Sequence, residues 1–452
     1  MTEQTPVSPF ESDQQKPIRV LSDLIAIKSV KGPPVTNTPY GAETLQALEY
    51  MLELGQQNGF SARNLDGRAG YIEWGEGDKM LGLLCHLDVV PAGEGWSQDP
   101  FTLRKENGRL IGRGVVDDKG PAVACFFAML QLKKQGFHAP CRIRLILGLD
   151  EECGSSCMEH YVKVEELPTC GFTPDADFPV IFAEKGILQL RISGEPSILT
   201  RMSAGERPNM VPARCRISWL DSNSSIDVSG IPAHAAKPHL GKNAIYEALS
   251  QTDISYISRE PLLHFFMTYI GNDTTGKVLL SKHHEDLSGS LTLNAGVAEM
   301  NDQTSELILD IRYPISSDAE NIQNEIMQKA SALGLTVSVY SHQKPIFRDP
   351  EDPLIRTLLS VYEKNMDHAP IDEESDLIRH TAALQQPVLP ISIGGGTYAR
   401  TMPGFVAFGP SLPWDKDQAH QIDESLNEDA FHFLIHVYKD AIIALSKKID
   451  TF

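Results

Sequence analysis

Basic residues are in short supply: 40 Lys and Arg stand against 60 Asp and Glu, a formal net charge of -20. That balance argues against nucleic acid or an anionic membrane surface as the main partner, since both are gripped through clustered positive charge. Cysteines number seven, an odd count with no disulfide framework, and the spacing of Cys153 and Cys157 is not that of a zinc ribbon. Reduced thiols imply a cytoplasmic protein. No long uncharged apolar run occurs, and the opening MTEQTPVSPFESDQQKP is polar and acidic without an apolar segment. Neither membrane insertion nor secretion is therefore expected. Internal repeats and low-complexity tracts are missing as well. At 452 residues the chain is too long for one hydrophobic core, so two or more domains are expected, with small molecules or peptides as natural ligands.

What is present in the first third is an alternation of two kinds of apolar segment. Leu45 to Gly59 has helical periodicity and a terminal glycine, whereas Met80 to Val90 and Cys141 to Leu149 are short and strand-like. Between those strands, Asp117 and Asp118 precede Pro121 at an early helical position and Gly136 closes the segment, which reads as a crossover helix. If the two strands are parallel, His86 and the residues after Leu149 lie at the same carboxyl edge of a sheet, where ligands bind in open α/β folds. From about Lys185 the texture changes to strand-like pieces with interspersed helices such as Asn321 to Leu333, suggesting an inserted α+β domain. The last stretch returns to the first style. The expected division is residues 1–184, an insert over 185–370, and completion of the first domain by 371–452.

Acidic and histidine clusters fall at the expected strand ends: CHLDVV with His86 and Asp88, GRGVVDDKG with Asp117 and Asp118, LDEECGS with Asp150, Glu151 and Glu152, and TPDADFP with Asp175 and Asp177. A further one, DQAHQIDE with His420, comes late. Taken singly, each has a structural explanation: a hydrogen-bonded turn for His86 and Asp88, and helix capping or dipole compensation for the Asp and Glu pairs. Taken together, carboxylates packed at one edge repel one another unless a cation neutralises them, so a divalent metal site is expected. Two histidines with several carboxylates suit zinc or a similar ion, and the surplus of carboxylates points to two ions.

These residues resemble the dinuclear zinc exopeptidase and deacylase family that includes aminoacylase, glutamate carboxypeptidase and succinyl-diaminopimelate desuccinylase, most closely its PepV-type dipeptidases. HLDVVPAGEGW, GRGVVDDKGP, DEECGS, PDADFP, NMVP, DIRYP, GGGTYAR and HQIDE occur in family order over nearly the whole chain. The resemblance implies an α/β zinc-exopeptidase-like catalytic domain, with a mixed central sheet flanked by helices, and an inserted α+β lid. It implies two divalent ions, zinc with manganese or cobalt as alternatives: His86 and Asp175 on one, Glu152 and His420 on the other, and Asp117 bridging. Glu151 is then the general base, and Asp88 a hydrogen-bond partner that fixes the tautomer of His86. In the insert, His234 matches an oxyanion-stabilising histidine, Arg312 an arginine that forks onto the substrate's C-terminal carboxylate, and Asn209 a nearby hydrogen-bond donor. Arg400 is a further candidate for holding that carboxylate. An insert near 185 residues implies a doubled lid and hence a monomer.

The function so implied is hydrolysis of dipeptides, including β-alanyl or Xaa-His types, by a metal-activated water. Deacylation of N-acyl amino acids on the same centre is the alternative, and a non-catalytic peptide-binding relative a more remote one. Cys153 stands where relatives carry a small Ser or Thr, and is expected to be buried and inert.

Overall fold

The computed structural model describes residues 15–222, 224–371, 375–385 and 387–452; nearly all of the polar opening stretch lies outside them. The chain divides into two compact units. The first comprises residues 1–182, 349–390 and 397–452, and the second residues 183–348 with 391–396. The second unit therefore ends at Arg348, earlier than the change of texture near residue 370, and the short strand Ile391–Ile393 goes with it.

The first unit is built on a mixed sheet that includes, in order, the strands Ser61–Leu65, Ala69–Trp74, Arg142–Gly148, Met80–His86, Cys170–Thr173 and Phe405–Ala407. The first three pair antiparallel, and the last four are mutually parallel. Met80–His86 and Cys170–Thr173 are buried at every position, as expected for central strands covered on both faces. The crossover helix is Lys119–Lys134, buried from Lys119 through Leu130, so it lacks the polar face of a surface helix. It packs against Gln15–Ala26 and against Glu428–Lys447, the strongly periodic helix near the end of the chain.

The second unit is a seven-stranded, wholly antiparallel sheet in the order Ser224–Ser229, Arg214–Trp219, Thr200–Ala204, Thr292–Met300, Ser305–Tyr313, Gly186–Ser193 and Thr336–Gln343. Alternate residues Leu188, Leu190 and Ile192 join a core shared with the helices Ala244–Ser250, Pro261–Tyr269 and Ala319–Ser331. This is the α+β texture of one sheet with helices on one face.

Candidate metal centre

Strand order brings distant residues together. Met80–His86 lies between Arg142–Gly148 and Cys170–Thr173, all parallel, so the residue ending or following each strand emerges at one edge. His86 ends the first, Asp150 to Glu152 follow the second, and Asp175 follows the third. The turn before Lys119–Lys134 adds Asp117, and His420 comes from the segment preceding the short strand Ser425–Asn427.

Nε2 of His86 lies 2.9 Å from Oδ1 of Asp117 and 4.0 Å from Oδ1 of Asp175. The other Asp117 oxygen, Oδ2, lies 3.0 Å from Nε2 of His420, which is itself 3.1 Å from Oε2 of Glu152. Asp117 thus offers one oxygen to each imidazole. Donor atoms of His86, Asp117 and Glu152 fall within 4.8 Å of one another, near enough for one divalent ion, and the mixed imidazole and carboxylate set suits such an ion. The Asp117–Asp118 peptide is cis.

The electrostatics follow from crowding. Burial by itself lowers the His86 pKa, but hydrogen bonds to Asp117 and Asp88 outweigh it and raise it well above the usual value. His420 behaves likewise: burial opposes the charge, while Asp117 and Glu152 push its pKa to about 11. Asp117, although buried, is held well below the carboxylate range by His420 and His86. Glu151 and Asp175 move the other way, both raised first by burial, Glu151 then by Asp175 and Asp175 by Asp117, and Glu152 is raised by burial and Asp117. A knot of carboxylates that favours added positive charge is what a cation site requires.

Asp88 is fully buried, and its geometry differs from a simple partner of His86. Nδ1 of His86 is 2.9 Å from the Asp88 backbone carbonyl and 3.5 Å from the carboxylate. The carboxylate instead accepts the backbone N–H of Glu151 and of Glu152, each at 3.1 Å. Asp118, one place after Asp117, does not cap the helix with its side chain and accepts the backbone N–H of His86 at 3.0 Å. The capping explanation applies to Asp150, whose Oδ2 receives the N–H and hydroxyl of Ser156 while Oδ1 pairs with Lys31 at 2.6 Å. Tyr398 is a residue that sequence reasoning missed. Its ring meets His86 edge-on at 5.9 Å, and its hydroxyl fits over Gly148, where a Cβ would fall 1.7 Å from Oη. Arg400 stands in the same turn, Tyr398–Thr401. Cys153 is exposed rather than buried, because it sits in the turn after Glu152 that closes at Gly154, φ +114°.

In the second unit, the Asn209 carbonyl accepts the Ala235 N–H at 2.9 Å, and Met210 bridges His234, so two expected residues share one loop junction. Exposed His234 accepts the Ala236 N–H on Nδ1 at 3.2 Å, which places the proton of the neutral ring on Nε2. Arg312 is buried and already engaged. Nε and Nη2 fork onto Asp310, the latter at 3.0 Å, and Nη1 donates to the Gly394 carbonyl at 3.1 Å.

The pattern of Peptidase family M20/M25/M40 matches residues 82–444. A protein of Bacillus subtilis (strain 168) named "Putative dipeptidase YtjP" is 36% identical over 471 residues, covering 95% of this chain and 97% of its own. A relative in Staphylococcus haemolyticus (strain JCSC1435), given the same description, is 32% identical over 468 residues, covering 94% and 96%. Among solved structures, human carnosine dipeptidase 1 superposes with a TM-score of 0.61 at 15% identity, covering 96% of each chain. Aminoacylhistidine dipeptidase of Vibrio alginolyticus gives 0.55 at 13%, covering 98% and 99%. These structures share the fold. With the family pattern and the two relatives running through most of its length, this chain belongs to peptidase family M20/M25/M40.

Proposed function

We propose that the protein is a metal-dependent dipeptidase, a hydrolase whose catalytic centre lies at the carboxyl edge of the first unit's sheet. The observation that carries this is Asp117, presenting one oxygen to each of two imidazoles at 2.9 and 3.0 Å with Glu152 and Asp175 alongside. His86 and Asp175 would hold one ion, Glu152 and His420 the other, with Asp117 shared between them. Zinc is the ion the donor set favours, with manganese or cobalt as substitutes. Ions bound there supply Lewis-acid polarisation of the scissile carbonyl and a water of lowered pKa.

The chain's own residues do the rest. Glu151, whose proton affinity is raised by burial and by Asp175, takes the proton of the attacking water and passes it to the departing amine. Asp88 holds the Glu151 and Glu152 backbone, so base and ligand keep separate directions. The second unit is the recognition element, acting as a lid over a small peptide. His234, protonated on Nε2, donates to the developing oxyanion, and Asn209 adds a hydrogen bond. Arg312 offers the substrate carboxylate the guanidinium N–H groups that Asp310 and Gly394 leave over, with Arg400 as a second cation. Seven free thiols suit a reducing compartment, and we place the protein in the cytoplasm as a monomer. Among the described residues no helix is long and apolar enough to cross a membrane.

The test is amine release by zinc- or manganese-loaded protein over dipeptides, tripeptides, and N-acetyl and N-succinyl amino acids, with Glu151→Gln in parallel. Dipeptide cleavage that disappears in the variant while two ions remain bound is the expected result. Activity confined to N-acyl amino acids overturns the dipeptidase reading, and silence on every substrate with ions bound overturns catalysis altogether.

A further inference from the structure

Four residues after His420 lies Glu424, fully buried and at first sight remote from any chemistry. Its carboxylate has every acceptor position in use. Oε1 accepts the N–H of Val116 at 2.8 Å and of Asp117 at 3.2 Å, while Oε2 accepts the N–H of Gly114 at 3.0 Å and Nη1 of Arg113 at 2.8 Å. The turn before the crossover helix is therefore wrapped, amides inward, around one side chain contributed from some three hundred residues later. Gly114 makes the wrap possible: φ is +90°, and a Cβ there would meet Val89 at 3.0 Å and Lys119 at 3.1 Å.

Arg113 extends the tie. Only 1% exposed, it lies over the Trp96 ring at 5.1 Å and directs Nη2 toward the carbonyls of Ala92 at 3.4 Å and His420 at 3.5 Å. The Glu424 carbonyl also accepts the Gly112 N–H at 3.0 Å. By contrast, the segment bearing His420 belongs to no helix or strand, and both His420 and Asp423 adopt positive φ, 64° and 53°. Its placement rests on what its side chains grip: Asp423 holds Ser97 and Arg104, and Glu424 holds the Asp117 turn.

We propose that Glu424 is a positioning residue of the metal centre: by seating the amides of the 114–117 turn, it sets the Asp117 carboxylate against His420, so that the two are placed as one piece. This rests on the reading of Asp117 and His420 as metal ligands. Glutamine cannot do the same work. Its oxygen can serve Val116 and Asp117, but its NH2 then faces the Gly114 N–H and the Arg113 guanidinium, donor against donor.

The experiment compares the full-length wild type, Glu424→Gln and Glu424→Asp after chelator treatment. Each is titrated with Co2+ and followed by visible absorption, amide hydrogen exchange over residues 114–117 is measured without metal, and dipeptide turnover is measured with it. For Glu424→Gln we expect Co2+ affinity to fall ten- to a hundredfold, a shifted ligand-field spectrum, faster exchange at 114–117, and a fall in kcat at nearly constant KM. A folded Glu424→Gln with wild-type affinity, spectrum and kcat overturns the proposal. Should that variant fail to fold, Glu424→Asp, which keeps the charge on a shorter stem, is read by the same criteria. A wild type that takes up no Co2+ overturns the metal-centre reading and this proposal with it, whereas normal uptake by wild type and variants alike removes only the role of Glu424.

Discussion

Asp88→Asn separates two accounts of a residue that lies against both His86 and the Glu151–Glu152 backbone. The substitution preserves size and burial. One carboxylate oxygen is replaced by NH2, which must face the N–H of either Glu151 or Glu152, now 3.1 Å from an acceptor. A buried donor left without an acceptor costs about 1–3 kcal/mol. Two such donors arise, the N–H and the new NH2, so the metal-free first unit should lose about 2–6 kcal/mol by that same estimate. At about 2–4 °C per kcal/mol for a unit of this size, its unfolding temperature should drop by roughly 10 °C. Because those amides carry the base and a ligand, kcat should fall about 10- to 100-fold together with metal affinity. Differential scanning calorimetry of chelated protein, followed by turnover and metal titration of the reloaded protein, measures all three. If Asp88 acts through His86 alone, metal affinity falls while the metal-free protein melts as the wild type does. That outcome would refute the reasoning.

Glu151→Gln should retain two bound ions by elemental analysis and lose about 10²–10⁴ in kcat, the usual contribution of a general base. Without ions, His86 and His420 both hold their protons at neutral pH, His420 up to about 11, and a ligand imidazole must be neutral. Metal binding should therefore release protons and tighten as pH rises from 6 to 9, which calorimetry in buffers of different ionisation heat will report; an affinity flat with pH would contradict the pairing. Arg312→Ala leaves the fully buried Asp310 charge with only the Gln189 amide as a side-chain donor and should destabilise the second unit by about 3–5 kcal/mol while leaving metal content unchanged. Gly148→Ala drives a methyl into the Tyr398 hydroxyl, so a loss of about 1–3 kcal/mol should come with weaker metal binding through the displaced ring on His86.

The alternating segments of the first third are legible because buried parallel strands read as unbroken apolar runs and the crossover helix carries its own punctuation. That alone places His86 and the Asp150–Glu152 run at one sheet edge. His420 is different: its segment has no periodicity and its backbone is left-handed, so composition marks it as an acidic and histidine cluster but only the family-ordered motif ties it to the sheet edge. Ile391–Gly396 looks like part of the strand-and-turn style of the first unit, yet it goes with the second. Local pattern fixes local conformation, not which compact unit a short strand is counted with. Arg312 shows the same limit, since nothing in DIRYP says that the aspartate two residues earlier, on the same face of the strand, will occupy the guanidinium.

Why neighbouring carboxylates take opposite roles is decided by backbone amides, which sequence does not display. Asp88, Asp118, Asp150 and Glu424 each accept at least one main-chain N–H. Asp117, Glu151, Glu152 and Asp175 accept none among the described residues; their company is the two imidazoles and one another. A buried carboxylate needs donors or cations, because desolvation penalises its charge. Those in the first group have donors fixed by the fold, so replacing them disturbs folding as well as chemistry. Those in the second are left for what the site binds. Adjacent pairs split across this line: Asp118 faces the amide of His86 while Asp117 faces the imidazoles, and Asp150 caps its helix while Glu151 and Glu152 do not. Neutralising Glu151, Glu152 or Asp175, whose charges burial and like neighbours disfavour, should therefore relieve repulsion in the metal-free protein and raise its unfolding temperature while cutting activity, the reverse of what Asp88→Asn does to stability; Asp117, whose charge the two imidazoles favour, is the exception. Glu151→Gln, melted with and without bound ions, puts that opposition to a direct measurement.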